Sequence, residues 1–181
     1  MTKQQLQEAL DNVVTATKKC YERGENMPFL LHVFVERDEG GRADLVFILG
    51  NKEAVDNRKQ VLRDVGRNLA KDIRVLNRVV AIAVISEAWV STVPFKDMAI
   101  DGHATTKKEY VQPSKDPKRK EALVISAQTR DHENVIRIYH IEREGGKASL
   151  KEIKSGFSKM EAPLLDEFWK GLLDFNNLNI A

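Results

Sequence analysis

Two strand-like runs, residues 29–36 and 43–49, are apolar on both of their alternating sides, and this constrains the fold more than any other feature of the chain. Leu31, Val33 and Val35 alternate with Leu30 and Phe34 in the first run, and Leu45 and Phe47 alternate with Val46 and Ile48 in the second. Successive side chains of a strand point to opposite faces, so neither face of this hairpin is expected to be fully open to water. Other elements, or another subunit, have to cover each side. The joining Asp38-Glu39-Gly40-Gly41 supplies the residues of a hairpin turn.

Helical spacing supplies the covers. Leu6, Leu10, Val13, Val14, Thr17 and Tyr21 recur at intervals of three and four and define one face of a helix ending near Arg23-Gly24. Ala54, Arg58, Val61, Leu62, Val65, Leu69 and Ile73 predict a second helix, with Asn51 as its N-cap. Gly66 lies in its middle, where glycine costs about 0.5–1 kcal/mol relative to alanine, and either tolerance or the close approach of another element explains it. Pro163 suits a first helical turn, and Leu164, Leu165, Phe168, Trp169, Leu172 and Leu173 form a dense apolar face, with residues 176–181 expected to fray or dock loosely. Phe168, Trp169 and Phe175 suit the core first and a subunit interface second.

Val79-Val80-Ala81-Ile82-Ala83-Val84-Ile85 opens a buried strand that runs to Val90. Residues 121–129 and 135–142 form a second hairpin, and Gly145-Gly146 turns the chain into a weaker strand over residues 148–153. The order α-β-β-α-β-(long loop)-β-β-β-α therefore predicts an α+β fold. Its sheet is largely antiparallel, with about six strands and three helices packed against it, in a single domain spanning residues 1–181.

The long loop, residues 91–120, is polar and exceeds the roughly 12–15 residues beyond which structureless connections usually serve binding or gating. The chain has 29 Lys and Arg against 27 Asp and Glu, a net charge of +2, which argues against a dedicated nucleic-acid scaffold. Six basic and two acidic residues nevertheless lie between Lys107 and Lys120. Basic charge is thus concentrated on the loop, as Lys107, Lys108, Lys115, Lys118, Arg119 and Lys120. Tyr110 is the only aromatic residue between Phe95 and Tyr139, fewer stacking platforms than single-strand binders present.

Cys20 is the only cysteine, which excludes an intrachain disulfide and a cysteine-based zinc site and fits a reducing, cytoplasmic setting. No run approaches the ~18 apolar residues of a membrane span, so no membrane partner is expected. Gly40-Gly41 and Gly145-Gly146 lack the context of a phosphate loop, and no serine or cysteine sits on a glycine-flanked elbow. No catalytic residue and no cofactor are therefore assigned.

Glu87 shares a strand face with Ala83, Ile85 and Trp89. It is either a partly desolvated carboxylate suited to acid or base work or one half of an ion pair with Arg119 or Lys120. Asp97, Asp101 and His103 lie close together in the loop and with Glu87 could supply oxygen and imidazole ligands to a divalent ion, although their spacing matches no recognised metal motif. His132 and His140 are expected as surface or packed residues.

Ile85-Ser86-Glu87-Ala88-Trp89, followed by Pro113-Ser114, Asp116-Pro117, Arg119 and Glu121-Ala122-Leu123-Val124-Ile125, resembles uncharacterised proteins of prokaryotes and phages. The resemblance implies no activity or cofactor. It does imply that the two ends of the loop form one unit, in which Glu87 and Trp89 meet Arg119 and Glu121 across neighbouring strands.

The expected function is a cytoplasmic, homodimeric binding or accessory protein that engages a macromolecular partner through residues 91–120. Its expected binding residues are Glu87, Trp89, Tyr110, Lys115, Lys118, Arg119 and Lys120. A nucleic-acid binder using the basic residues from 107 to 120 and a metal-assisted hydrolase centred on Glu87 are the alternatives.

Overall fold

A computed structural model describes residues 1–25, 27–50, 57–72, 78–90, 119–153 and 163–178. It has the expected α+β architecture: α1 (Lys3–Glu22), β1 (Phe29–Glu36), β2 (Arg42–Gly50), α2 (Arg58–Ala70), β3 (Val79–Val90), β4 (Lys120–Thr129), β5 (Asn134–Glu144), β6 (Lys147–Ile153) and α3 (Pro163–Leu178). The six strands form one antiparallel sheet in the order β2-β1-β3-β4-β5-β6. From β3 to β6 the chain is a meander, as its hairpin signals predict. Sequence neighbours part company only between β2 and β3. Both strands are antiparallel to β1, so they run parallel to each other with β1 between them, joined through α2.

Helices cover both faces of the sheet. On one, α1 lies over β4, β5 and β6, and Leu6, Leu10, Val13, Val14 and Tyr21 pack with Ile85, Leu123, Ile125, Tyr139 and Ile141. On the other, Leu62 and Ala70 of α2 join Leu165, Phe168, Trp169 and Leu172 of α3 against Leu31, Val33, Ile82 and Val84. Phe168 and Trp169 meet edge to face at 5.6 Å inside this core, so they are packing residues and not a subunit surface. Strand β3 feeds both cores, and Ile82 and Ile85, on opposite faces, are each fully buried.

Local chemistry sets the ends of α1. Thr2 and Gln5 form a reciprocal capping box, with the Thr2 hydroxyl accepting from the Gln5 amide at 3.3 Å and the Gln5 side chain accepting from the Thr2 amide at 2.9 Å. At the other end Gly24, at φ 76°, lets the Gly24 amide donate to the Tyr21 carbonyl and the Glu25 amide donate to the Cys20 carbonyl, a Schellman stop.

The second helix differs from its predicted span. It begins at Arg58, with Asn57 as an N-cap that makes no side-chain capping bond, and ends at Ala70; Asn51, Ala54 and Ile73 lie outside the described residues. Its buried stripe is Leu62, Gly66 and Ala70, while Val61, Val65 and Leu69 are half-buried. The reason is the crossing with α3. A Cβ built at Gly66 would fall on the Phe168 carbonyl oxygen, and one built at Gly171 would fall on the backbone of Arg63. Two facing glycines thus bring the helix backbones together more closely than any side chain permits. The third helix continues through Asn176 to Leu178, beyond the end expected from its apolar face.

Helix propensity and packing make opposite claims about Gly66→Ala and Gly171→Ala. Propensity alone stabilises each variant by up to about 1 kcal/mol, whereas overpacking against backbone costs about 1–3 kcal/mol or more. Denaturant unfolding is expected to show both variants destabilised, and an unchanged or raised midpoint would contradict the close crossing.

Candidate functional site

Strand β3 is described as far as Val90 and β4 from Lys120, and these two residues are directly paired across the two strands. Trp89 pairs with Glu121 and Glu87 with Leu123. Cross-strand partners share a face, so Glu87, Trp89 and Glu121 all lie on the α1 side of the sheet. Tyr139, Ile141 and Arg143 follow on the same side of β5, because Leu123 pairs with Tyr139. Above them stands the last turn of α1, which carries Tyr21. That turn is held near the β5–β6 turn, where the Gly146 carbonyl oxygen would lie 2.9 Å from any Cβ placed on Gly24. The two glycine-containing turns thereby set the height of Tyr21 over Arg143.

Four side chains from four elements close into one network at this end of the sheet. The Tyr21 hydroxyl donates to Glu87 Oε1 at 2.7 Å, and Arg143 Nη2 reaches the same oxygen at 3.4 Å. Arg143 also grips Glu121 in a two-pronged contact, Nε to Oε2 at 2.8 Å and Nη2 to Oε1 at 3.1 Å. Paired forks of this kind are stronger and more directional than single contacts. The Arg143 guanidinium lies 5.9 Å from the Tyr21 ring centre and bridges both carboxylates. Tyr21 is fully buried and the Glu87 side chain is only 8% exposed, whereas Arg143 is 41% exposed and faces the rim.

Burial and the adjacent Glu87 carboxylate push the Tyr21 hydroxyl well above the ordinary tyrosine range. Both effects penalise the phenolate, so the hydroxyl stays a donor across the physiological range. The network is therefore built to hold a proton and three charges in fixed places. Within it a guanidinium counters the Glu87 carboxylate.

Beside the network, the Arg119 guanidinium sits 4.6 Å over the ring of Trp89, which is 45% exposed. This pair clamps the two ends of the connection on the same side of the sheet. Lys120 points to the opposite face, the side of Ala122 and His140. There burial, then Lys120 and Lys151, lower the His140 pKa below its ordinary value. His140 is half-buried, as a packed histidine would be, and its Nδ1 has no hydrogen-bond partner among the described residues.

Of the residues expected to bind, Glu87, Trp89, Arg119 and Lys120 form the stem of the connection, and the first three share a face. Tyr110, Lys115 and Lys118 lie outside the described residues, as do Lys107, Lys108, Asp97, Asp101 and His103. Among the described residues no group of three or more His, Cys, Asp or Glu is placed to hold a metal ion. No helix among them is long and apolar enough to cross a membrane.

The cation that closes on Glu87 in the network is Arg143 of β5, where the sequence pointed to Arg119 or Lys120. Tyr21 and Arg143 were the residues missed. Tyr21 is the last member of the α1 apolar stripe, and its hydroxyl is the one polar atom that stripe carries into the sheet end. Arg143 keeps the alternation of Tyr139 and Ile141, which puts a cation on a face that already holds two carboxylates.

Replacing Tyr21 by Phe removes one hydrogen bond to a carboxylate and is expected to cost about 1–3 kcal/mol at neutral pH. Tyr21 keeps its proton in the folded chain and loses it in the unfolded chain above about pH 10, so stability falls as pH rises past that point. Each such tyrosine contributes up to about 1.4 kcal/mol per pH unit, and Tyr139, also raised by burial, contributes alongside it. Unfolding measured from pH 7 to 11.5 is expected to show a shallower alkaline loss in Tyr21→Phe than in the wild-type chain. Equal slopes would contradict the buried donor. No family model, no curated protein and no solved structure matches this chain.

Proposed function

We propose that this chain is a non-catalytic binding or accessory protein that engages a macromolecular partner through residues 91–120, with the braced end of the sheet as their mount. The direct pairing of Val90 with Lys120 carries the reading. A two-residue turn is enough to join antiparallel strands at adjacent positions, so topology alone requires almost none of the residues between them. A connection that long, returning to its point of departure, is retained for what it presents.

The stem supports the same reading. Trp89 and Arg119 are residue types that dominate binding energies at protein interfaces, and their stacked pair stands at the exposed root of the connection. The Tyr21, Glu87, Arg143 and Glu121 network below it restricts motion of the root in the way a recognition surface needs, because preorganisation lowers the ordering cost of binding. With its charge countered by Arg143, Glu87 is a brace rather than a base or metal ligand, which weighs against a hydrolase built on Glu87, Asp97, Asp101 and His103. The reading includes a cytoplasmic setting, supported by the lone cysteine, and a homodimer, supported by apolar residues left exposed on β2.

The test is affinity capture with quantitative mass spectrometry, comparing the full chain with a variant in which residues 91–118 are replaced by a two-residue turn. The shortened chain is expected to keep its circular dichroism and thermal midpoint while losing the partners that the full chain retains. Trp89→Ala is expected to weaken capture roughly 30-fold, about 2 kcal/mol. A nucleic-acid partner would show itself by a log–log salt slope of about −5, as expected for six phosphate contacts. A shortened chain that captures the same partners would overturn the proposal.

A further inference from the structure

The two edges of the sheet are built differently. The β6 edge is lined by exposed Lys147, Ser149, Lys151 and Glu152, charged and polar groups of the kind that deter strand addition. The β2 edge runs Arg42-Ala43-Asp44-Leu45-Val46-Phe47-Ile48-Leu49-Gly50, with no proline or lysine. Among the described residues nothing pairs with its outer side. On the α1 side of the sheet, but beyond the strands β4–β6 that this helix covers, Val46 is 52% exposed and Ile48 73% exposed, two of the four large apolar residues standing out to solvent among those described. The one acidic group of β2, Asp44, is tied inward by a 2.8 Å hydrogen bond with Nδ1 of the buried His32.

We propose that a second copy of this chain docks on the outer edge of β2, the two β2 strands pairing antiparallel about a two-fold axis at Phe47. This names the surface of the homodimer included in the function above and rests on that reading. In this register Val46 of one copy faces Ile48 of the other, Leu45 faces Leu49, and Asp44 faces Gly50. Every cross-strand pair from Leu45 to Leu49 is apolar, and no like charges meet, because both charged residues lie in the first half of the strand. Pairing β2 with the β6 edge of another copy would set this apolar run against lysines and repeat without closing, whereas β2 with β2 closes as a dimer. The dimer joins two sheets into one by the strand-addition mode of recognition.

Sedimentation equilibrium of the full-length chain over a concentration series tests this with Ile48→Lys and Val46→Asp. Both positions are exposed, so circular dichroism and thermal midpoint at low concentration are expected to match the wild type. The wild-type chain is expected at twice the monomer mass and each variant at the monomer mass. An equimolar mixture is expected to regain dimers, since the proposed register sets the new lysine against the new aspartate. A wild-type chain that stays monomeric overturns both the surface and the homodimer. A dimer that both variants keep, or a mixture that stays monomeric, overturns the surface alone.

Discussion

Burial of β3 on both faces is the constraint from which the rest of this molecule follows. A twelve-residue strand whose alternating side chains enter two separate cores cannot be covered from one side only. It lies between β1 and β4, with α1 on one face and the α2–α3 pair on the other. Once β3 is held in this way, its last residues are carried past the two cores to the rim of the sheet. Polar residues enter the strand there, and the candidate site is assembled there.

The site uses the sheet as a ruler. Strand pairing fixes Glu87 opposite Leu123 and Trp89 opposite Glu121, and the return of β5 brings Arg143 to the same face. The height of the final partner, Tyr21, comes from the Schellman stop at Gly24 and its contact with the β5–β6 turn. A buried carboxylate without partners would be costly. Here it receives a hydroxyl and a guanidinium, and the guanidinium is shared with a second carboxylate. The outcome is a cross-linked corner of the sheet at the described ends of β3 and β4.

Much of the fold was legible because periodicity reports burial directly. The Leu6 to Tyr21 stripe, the apolar run that opens β3 and the hairpin glycines each carry their meaning within a few residues, and the strands and α1 fall close to where those patterns put them. Relations between distant segments were not legible. Placing β1 between β2 and β3 depends on how α2 crosses the sheet, and no local signal encodes it. Gly66 gave an ambiguous signal until Gly171 was found facing it, 105 positions away in the sequence, an arrangement that also explains why the α2 stripe is narrower than its apolar residues suggest. In the site, Glu87, Trp89 and Arg119 were recognisable from their places at the ends of a strand and a loop. Tyr21 and Arg143 read as core and surface residues until the register brought them to the same corner. The doubly apolar second strand implied two covers, and the described structure supplies one for Leu45 and Phe47 but leaves Val46 and Ile48 in solvent.

The central claim is that the sheet holds the root of the 91–120 connection rigidly up to the point where the chain departs. Hydrogen–deuterium exchange along β3 and β4 of the full-length chain measures this most directly, because it reports the opening free energy of each amide. Amides of residues 86–90 and 120–124 whose carbonyl partners lie across the β3–β4 ladder are expected to be protected nearly as well as those of residues 81–85 and 125–129. Exchange at residues 86–90 as fast as in an unstructured peptide would contradict the claim and leave the connection without a mount.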